Sequence, residues 1–479
     1  MRGTEPLEMV VNQNILDMEY AVRGAIPQRA AELRKQGRKT IPCNLGNPQA
    51  LGQKPMTYYR QVLSLVEYPA KIERERRLKA AFAGSDAIDE TDLISDYILD
   101  LAENFLAMME TGTGAYSESQ GPAFIREAVA AFVDRRDGVD GTAAVSANPD
   151  DIFITNGASE GVKYVIDLLL ADSNDGIMIP IPQYPLYSAA IKRSGGVQVN
   201  YYPDEEDGWT FDRSVLDDAY SAAVNDRVNI KGIVVINPGN PTGAVLDEKT
   251  VQEVIAFAKD KGLAIIADEV YQDNVYGAKF ISFASMLDSE SVPLFSVHSM
   301  SKGYYGECGH RGGYLEIRNT PHIPGTGLTF TDLVLKQASV NICSNTVGQL
   351  LMYLMVNPPE EGTAPYRQFI SEKRGILETL HDKAAMIREG FDRMDGVSCF
   401  GRTGAMYLFP RLDKLPEGTN DFDYCMQLLE RTGLCTVNGS GFGQQEGTQH
   451  LRIAFLPPKN VIEQVMPEWV RFHNEYVNS

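Results

Sequence analysis

Five short apolar runs recur through the middle of the chain, at 151–155, 176–180, 232–237, 263–268 and 294–297. Each is four to six residues long and bounded by turn formers or polar residues. Runs of this kind read as strands buried on both faces, the signature of a mainly parallel sheet. Between them the apolar spacing changes to that of a helix. Val162, Val165, Ile166 and Leu169 share one face of 159–171, and Val251, Val254, Ile255 and Ala258 share one face of 248–261. Strands alternating with helices predict an α/β fold: a sheet flanked by helices, with its ligand site at the carboxyl ends of the strands.

The pattern changes at both ends. After Pro358 and Pro359, residues 369–394 read as one long helix, and 399–402, 405–409 and 451–455 as strands. Residues 14–106 are mostly helical in pattern, interrupted by a loop rich in Gly, Pro and Gln at 42–55. At 479 residues the chain exceeds the usual single core. The expected organisation is an N-terminal helical arm and part of a small domain (1–110), a large ligand-binding domain (111–359), and the C-terminal remainder of a smaller α+β domain (360–479).

Charge narrows the partners. The 44 Lys and Arg against 64 Asp and Glu give a net charge of −20. That disfavours nucleic acid and anionic membrane as partners but leaves a locally basic pocket possible. No apolar run is long enough to span a bilayer. The six cysteines, Cys43, Cys308, Cys343, Cys399, Cys425 and Cys435, form no CxxC pair. This argues against structural zinc and a disulfide framework, so no metal is expected and the thiols are expected to be reduced. Glu5, Glu8 and Asp17 precede any apolar segment, unlike a secretory or mitochondrial leader. A cytoplasmic location is the expectation, a leader removed beforehand being left open.

The chemistry concentrates in 299–313. Ser299, Ser301 and several glycines surround Lys302 with little side-chain bulk, and Arg311 follows with a planar fork suited to phosphate. A lysine amine beside an anion cradle is what a pyridoxal phosphate enzyme requires. Other candidates lie at or just after predicted strands. Asp268 either caps the next turn or keeps a pyridine nitrogen protonated, and Tyr271 would then donate to the ring oxygen. The turn Asn237-Pro238-Gly239-Asn240-Pro241 is either simple punctuation or a rigid mount for Asn240. At 157–161, Ala158 and Ser159 either begin a helix or hold an anion on free N–H groups. Tyr184 either packs between prolines or stacks on a flat ring. Arg452 is either an exposed strand charge or a bidentate clamp for a carboxylate.

Taken in order, these motifs resemble those of the fold-type I, class I aminotransferases, and within them the alanine aminotransferases. The resemblance covers nearly the whole chain and is carried by 18–24, 47–53, 182–188, 301–309 and 439–444. It implies that Lys302 carries pyridoxal 5'-phosphate as a Schiff base and that Asp268 pairs with the pyridine nitrogen. Tyr271 and Asn240 would bond the ring hydroxyl, Tyr184 would stack on the ring, and Ala158, Ser159, Ser299 and Arg311 would hold the phosphate. It further implies a homodimer in which Tyr116 reaches the phosphate of the neighbouring subunit. Arg452 would bind the substrate α-carboxylate, and Gly46 would lie beside the substrate. The implied reaction converts L-alanine and 2-oxoglutarate to pyruvate and L-glutamate. A glutamate:glyoxylate aminotransferase of the same subgroup is one alternative, and a non-catalytic, cofactor-binding regulatory domain another. Asn438 departs from the pattern, standing where proline is usual, and predicts a local change in loop stiffness.

Overall fold

The computed structural model describes residues 9–18, 24–83, 93–138, 145–287 and 292–479. Glu5, Glu8 and residues 19–23 of the 18–24 motif lie outside the described residues.

The five apolar runs are strands of one seven-stranded sheet. In chain order its strands are β1 (Ile152–Asn156), β2 (Asp175–Pro180), β3 (Val197–Tyr201), β4 (Asn229–Ile236), β5 (Ala264–Asp268), β6 (Leu294–Ser299) and β7 (Gly312–Arg318). Their spatial order is β1-β7-β6-β5-β4-β2-β3. The pairings β2·β3, β2·β4, β4·β5 and β5·β6 are parallel, whereas β7 runs antiparallel to both β6 and β1. Six strands therefore point one way, and their carboxyl ends lie along one edge.

Two strands escape the apolar-run criterion for different reasons. β3 is an edge strand with alternating burial, so polar residues interrupt it. β7 carries Glu316 and Arg318, both buried, whose ion pair at 2.7 Å allows charge into the interior.

Alternation along β5 divides the interior. Ile266 packs with Val234 and Phe295 in one core, while Ile265 and Ala267 face the opposite core with Val235. α1 (Ala158–Leu169) follows β1, and α2 (Glu248–Lys261) precedes β5. Asp247 caps α2 by accepting from the Thr250 N–H at 2.9 Å, and Gly262 ends it in the left-handed conformation.

Towards the C-terminus, the long helix α3 spans Tyr366–Phe391. The expected strand at 399–402 is absent. Val397–Ser398 pairs with Arg411–Leu412 instead. Arg388 of α3 occupies the carbonyls of Cys399, Phe400 and Gly401, which removes them from any ladder. Of 405–409 only β8 (Tyr407–Leu408) is a strand. It pairs with β10 (Leu451–Ala454), which also takes β9 (Val437–Asn438) on its other edge. The N-terminal segment joins this region: Ile41–Pro42 pairs with Leu434–Cys435, and the Cys43 carbonyl accepts from the Ala454 N–H at 2.8 Å. Among the described residues no helix is long and apolar enough to cross a membrane.

Because β5 is buried on both faces, Ile266→Ala leaves a cavity in a strand that cannot relax toward solvent. A loss of about 2–5 kcal/mol is expected, read as a lower midpoint in urea unfolding at fixed protein concentration.

Candidate active site

Strand ends assemble a cavity of about 270 Å³ lined by residues from β1, β5, β6 and β10 or their following turns. Of the sequence-predicted residues, Gly46, Ala158, Ser159, Tyr184, Asn240, Asp268, Tyr271, Ser299, Lys302, Arg311 and Arg452 all line it. Tyr116 does not: it lies outside the cavity, 77% exposed.

One end is built for an anion. β1 ends at Asn156, Gly157 turns with φ +79°, and α1 begins at Ala158. The turn leaves the first N–H groups of a 12-residue helix at the cavity wall. Arg311 closes this end, donating to the Asn156 carbonyl at 2.8 Å, the Cys308 carbonyl at 2.9 Å and the Ser159 hydroxyl at 3.3 Å. Its own backbone is left-handed at φ +57°, which orients the guanidinium at a conformational cost. A Cβ on Gly157 would lie 2.5 Å from Arg311 Nη2, so only glycine lets the two come together.

Asp268 ends β5 and is buried. Its carboxylate accepts from Tyr187 Oη at 2.6 Å and from the Val270 N–H at 3.3 Å. Burial pushes the Asp268 carboxyl above its ordinary value, against these two hydrogen bonds and the charge of Lys302. Lys302 follows β6 and donates from Nζ to the Gly46 carbonyl at 2.8 Å. The same amine lies 5.7 Å from the centre of the Tyr271 ring.

A polar chain links the remaining side chains. Arg452 Nη1 donates to Asn240 Oδ1 at 3.1 Å, Asn240 Nδ2 donates to Tyr271 Oη at 3.4 Å, and Tyr271 Oη donates to Tyr407 Oη at 3.4 Å. Arg452 is 1% exposed and lies over the rings of Tyr407 at 4.3 Å and Phe442 at 4.7 Å. Nη2 donates to the Asn44 carbonyl at 2.7 Å, but Nε has no partner and no carboxylate of the described residues pairs with it. Burial pushes the Tyr407 phenol up, yet the charges of Lys302 and Arg452 and the bond from Tyr271 outweigh it, leaving it below its ordinary value. Tyr271 is pushed up by burial and by Tyr407 beside it.

Tyr187, Tyr407 and Asn44 were not legible as site residues. Tyr187 lies in the 182–188 motif and could have been noticed three residues after Tyr184. Tyr407 sits inside an apolar strand, and Asn44 acts only through its carbonyl, which any residue could supply. Asn438 precedes the short turn Gly439–Phe442 and donates to the Ser440 hydroxyl at 2.6 Å, a side-chain bond at the position where proline is usual in the pattern.

Comparison with known proteins agrees with this geometry. The family described as aminotransferase class I and II matches residues 91–466. A probable mitochondrial alanine aminotransferase of Dictyostelium discoideum is 41% identical over 97% of this chain and 88% of its own length. Glutamate–glyoxylate aminotransferase 2 of Arabidopsis thaliana is 40% identical over 98% of this chain and 96% of its own. A Saccharomyces cerevisiae protein named inactive alanine aminotransferase is 39% identical over 97% and 93%. Among solved structures, alanine aminotransferase from Pyrococcus furiosus superimposes with a TM-score of 0.76 at 26% identity, covering 97% of this chain and all of that one. A helix-flanked sheet with a lysine, a buried aspartate and an anion cradle at its strand ends suits cofactor-dependent group transfer. The chain belongs to the class I and II aminotransferases and is a pyridoxal-phosphate-dependent transaminase.

The residues fit that cofactor. The helix terminus and Arg311 suit a phosphate, the Asp268 carboxylate suits a protonated ring nitrogen, and the glycine turn leaves room that a Cβ would fill.

Gly46 is equally confined. A Cβ there would lie 1.9 Å from Tyr407 Oη and 3.1 Å from Lys302 Nζ. Gly46→Ala is expected to lower turnover by about tenfold or more while leaving the melting temperature within about a degree, since the clash is confined to the cavity. Adding Tyr407→Phe removes the closest atom and should recover part of the rate; no recovery would place the defect elsewhere.

Proposed function

We propose that the enzyme interconverts L-alanine and 2-oxoglutarate with pyruvate and L-glutamate. The observation that carries the substrate class is Arg452: a buried guanidinium, unpaired with any described carboxylate, at the wall of the Lys302 cavity. Every amino and 2-oxo acid in the reaction carries an α-carboxylate that would complete its hydrogen bonds. The relatives named alanine aminotransferase support the choice of amino acid.

Bound pyridoxal phosphate supplies the electron sink that makes the substrate Cα proton removable. The chain's own residues do the rest. Lys302 Nζ would hold the cofactor and, when free, would be the base placed to move the proton at substrate Cα. Asp268, oriented by Tyr187, would keep the ring nitrogen protonated. Tyr271 and Asn240 would bond the ring oxygen, and Tyr184 would face the ring. Ala158, Ser159, Ser299 and Arg311 would hold the phosphate, and Gly46 would border the substrate.

A glutamate:glyoxylate reaction is the second reading, favoured by the Arabidopsis relative of that name. A panel of oxo-acid acceptors offered to the purified protein with each amino donor separates the two. Pyruvate exceeding glyoxylate in kcat/KM with glutamate supports the first reading, and the reverse order rejects it. The yeast relative named inactive keeps the non-catalytic alternative in view. The joint presence of Lys302, Asp268, Tyr271 and Arg452 argues against it here.

Arg452→Leu should impair the alanine and glutamate half-reactions alike by roughly 2–5 kcal/mol, with cofactor binding retained. Stopped-flow absorbance on each half-reaction checks this. A loss confined to glutamate would assign Arg452 to the side-chain carboxylate instead.

The working form is a homodimer in our reading, because Tyr116 is exposed on its own chain and could serve a neighbouring cavity. Lys302→Ala and an impaired Tyr116 variant, each inactive alone, should regain activity when their subunits exchange. One site of the mixed dimer then carries both lesions and the other none. Activity that stays low would place Tyr116 within its own chain's function. The proposed compartment is the cytoplasm. The mitochondrial name of the Dictyostelium relative makes an organelle the competing outcome for imaging of a tagged protein.

A further inference from the structure

Behind the loop that carries Gly46, a second cavity of about 520 Å³ opens between 51–57, the middle of α3 and 456–459. The catalytic cavity, at about 270 Å³, is smaller. Leu51, Ile376 and Leu380 give the second cavity an apolar wall, and Lys383 lies on that wall 5% exposed. Lys383 Nζ donates to the Leu456 carbonyl at 2.8 Å, and no carboxylate of the described residues lies within ion-pair distance of it. An ammonium has three protons to satisfy, and one neutral acceptor is poor compensation for its lost hydration. Burial accordingly pushes the group down to about 8.

The charges around it do not neutralise it. Glu372 lines the same cavity, but its two oxygens accept from the Thr57 N–H at 2.8 Å and the Thr57 hydroxyl at 2.6 Å. Lys54 and Lys459 add cationic charge, Lys459 being paired with Asp382 at 3.0 Å. With Lys459 paired to Asp382, Lys54 and Lys383 face the single carboxylate of Glu372, a local cationic balance in a chain of net charge −20. An apolar wall beside an uncompensated cation is complementary to an anion with a hydrocarbon tail.

We propose that this cavity binds an organic monocarboxylate with an apolar tail, its carboxylate on Lys383 and its tail against Leu51, Ile376 and Leu380, and that occupancy alters substrate binding next door. The coupling has a physical route. Leu456 lies two residues past the end of β10, the strand that carries Arg452. The loop 46–53 runs from the Gly46 carbonyl, which accepts from Lys302, to Gln53, whose side chain donates to the Tyr304 carbonyl at 2.9 Å. An occupant would press on both segments.

Octanoate is the probe, titrated calorimetrically into the holoenzyme. Because Arg452 could also attract a carboxylate, binding is compared in Arg452→Leu and Lys383→Met. Octanoate should bind wild type and Arg452→Leu alike, and bind Lys383→Met about tenfold more weakly or worse. Octanol, with the tail but no charge, should also be weaker by about tenfold. Lys383→Arg keeps the charge and should bind within a few-fold of wild type. Leu380→Trp fills the wall and should abolish binding, guarding against a Lys383 variant that fails to fold. Octanoate should shift the KM for alanine by about fivefold in wild type and not in Lys383→Met. Absence of binding, or binding lost in Arg452→Leu but kept in Lys383→Met, overturns the site. Binding at Lys383 with an unchanged KM overturns the coupling.

Discussion

The burial of Arg452 is the constraint around which the site is organised. A guanidinium removed from water costs several kcal/mol unless its donors are met. Four separate parts of the chain supply that compensation: the Asn44 carbonyl, the Asn240 side chain, the Tyr407 ring and the Phe442 ring. Asn240 is held after β4 and Arg452 on β10, while Asn44 belongs to the N-terminal segment joined to the C-terminal strands through Ile41–Pro42 and Leu434–Cys435. Satisfying one side chain therefore ties the chain ends to the sheet. What is left over, an orphaned Nε, is the feature a carboxylate ligand would complete.

The sheet supplies the complementary half. Parallel pairing of β4, β5 and β6 puts their carboxyl ends side by side, so Asp268 and the turns that carry Asn240 and Lys302 converge without any local sequence proximity. Within this cluster the electrostatics are divided. Asp268 is pushed up by burial and held by Tyr187, while Tyr407 is drawn down by Lys302 and Arg452. A positively charged ring at Asp268 and a negatively charged substrate at Arg452 would each meet a complementary partner. The cavity thus holds a carboxylate at Asp268 and a guanidinium at Arg452, with Lys302 on the same wall.

Much of the architecture was legible because burial on both faces leaves a direct trace. A strand covered on both sides must be apolar throughout, so β1, β2, β4, β5 and β6 announce themselves. The failures follow from the same rule. β3 is half exposed and alternates, and β7 hides behind Glu316 and Arg318, whose mutual pairing makes their burial tolerable. The expected strand at 399–402 failed because Arg388, eleven residues before Cys399, captures its carbonyls. No local pattern encodes that competition.

The site divides along a similar line. Residue chemistry at strand ends raised Lys302, Asp268, Tyr271, Asn240, Arg311 and Arg452, most of them beside an ordinary structural reading, and it was their order along the chain and the resemblance it carries that gave them roles. Tyr187 and Tyr407 look like ordinary packing aromatics in the sequence. They become polar contacts only when folding brings Tyr187 to Asp268, 81 residues away, and Tyr407 to Tyr271, 136 residues away. The Asn44 and Gly46 carbonyls and the Lys383 cavity are further still from any local signal. Carbonyls are common to every residue, and an uncompensated lysine is defined by which acids the fold keeps away from it. Composition and periodicity register a residue's own chemistry and its immediate neighbours, whereas hydrogen-bond completion and desolvation depend on segments that meet only in three dimensions.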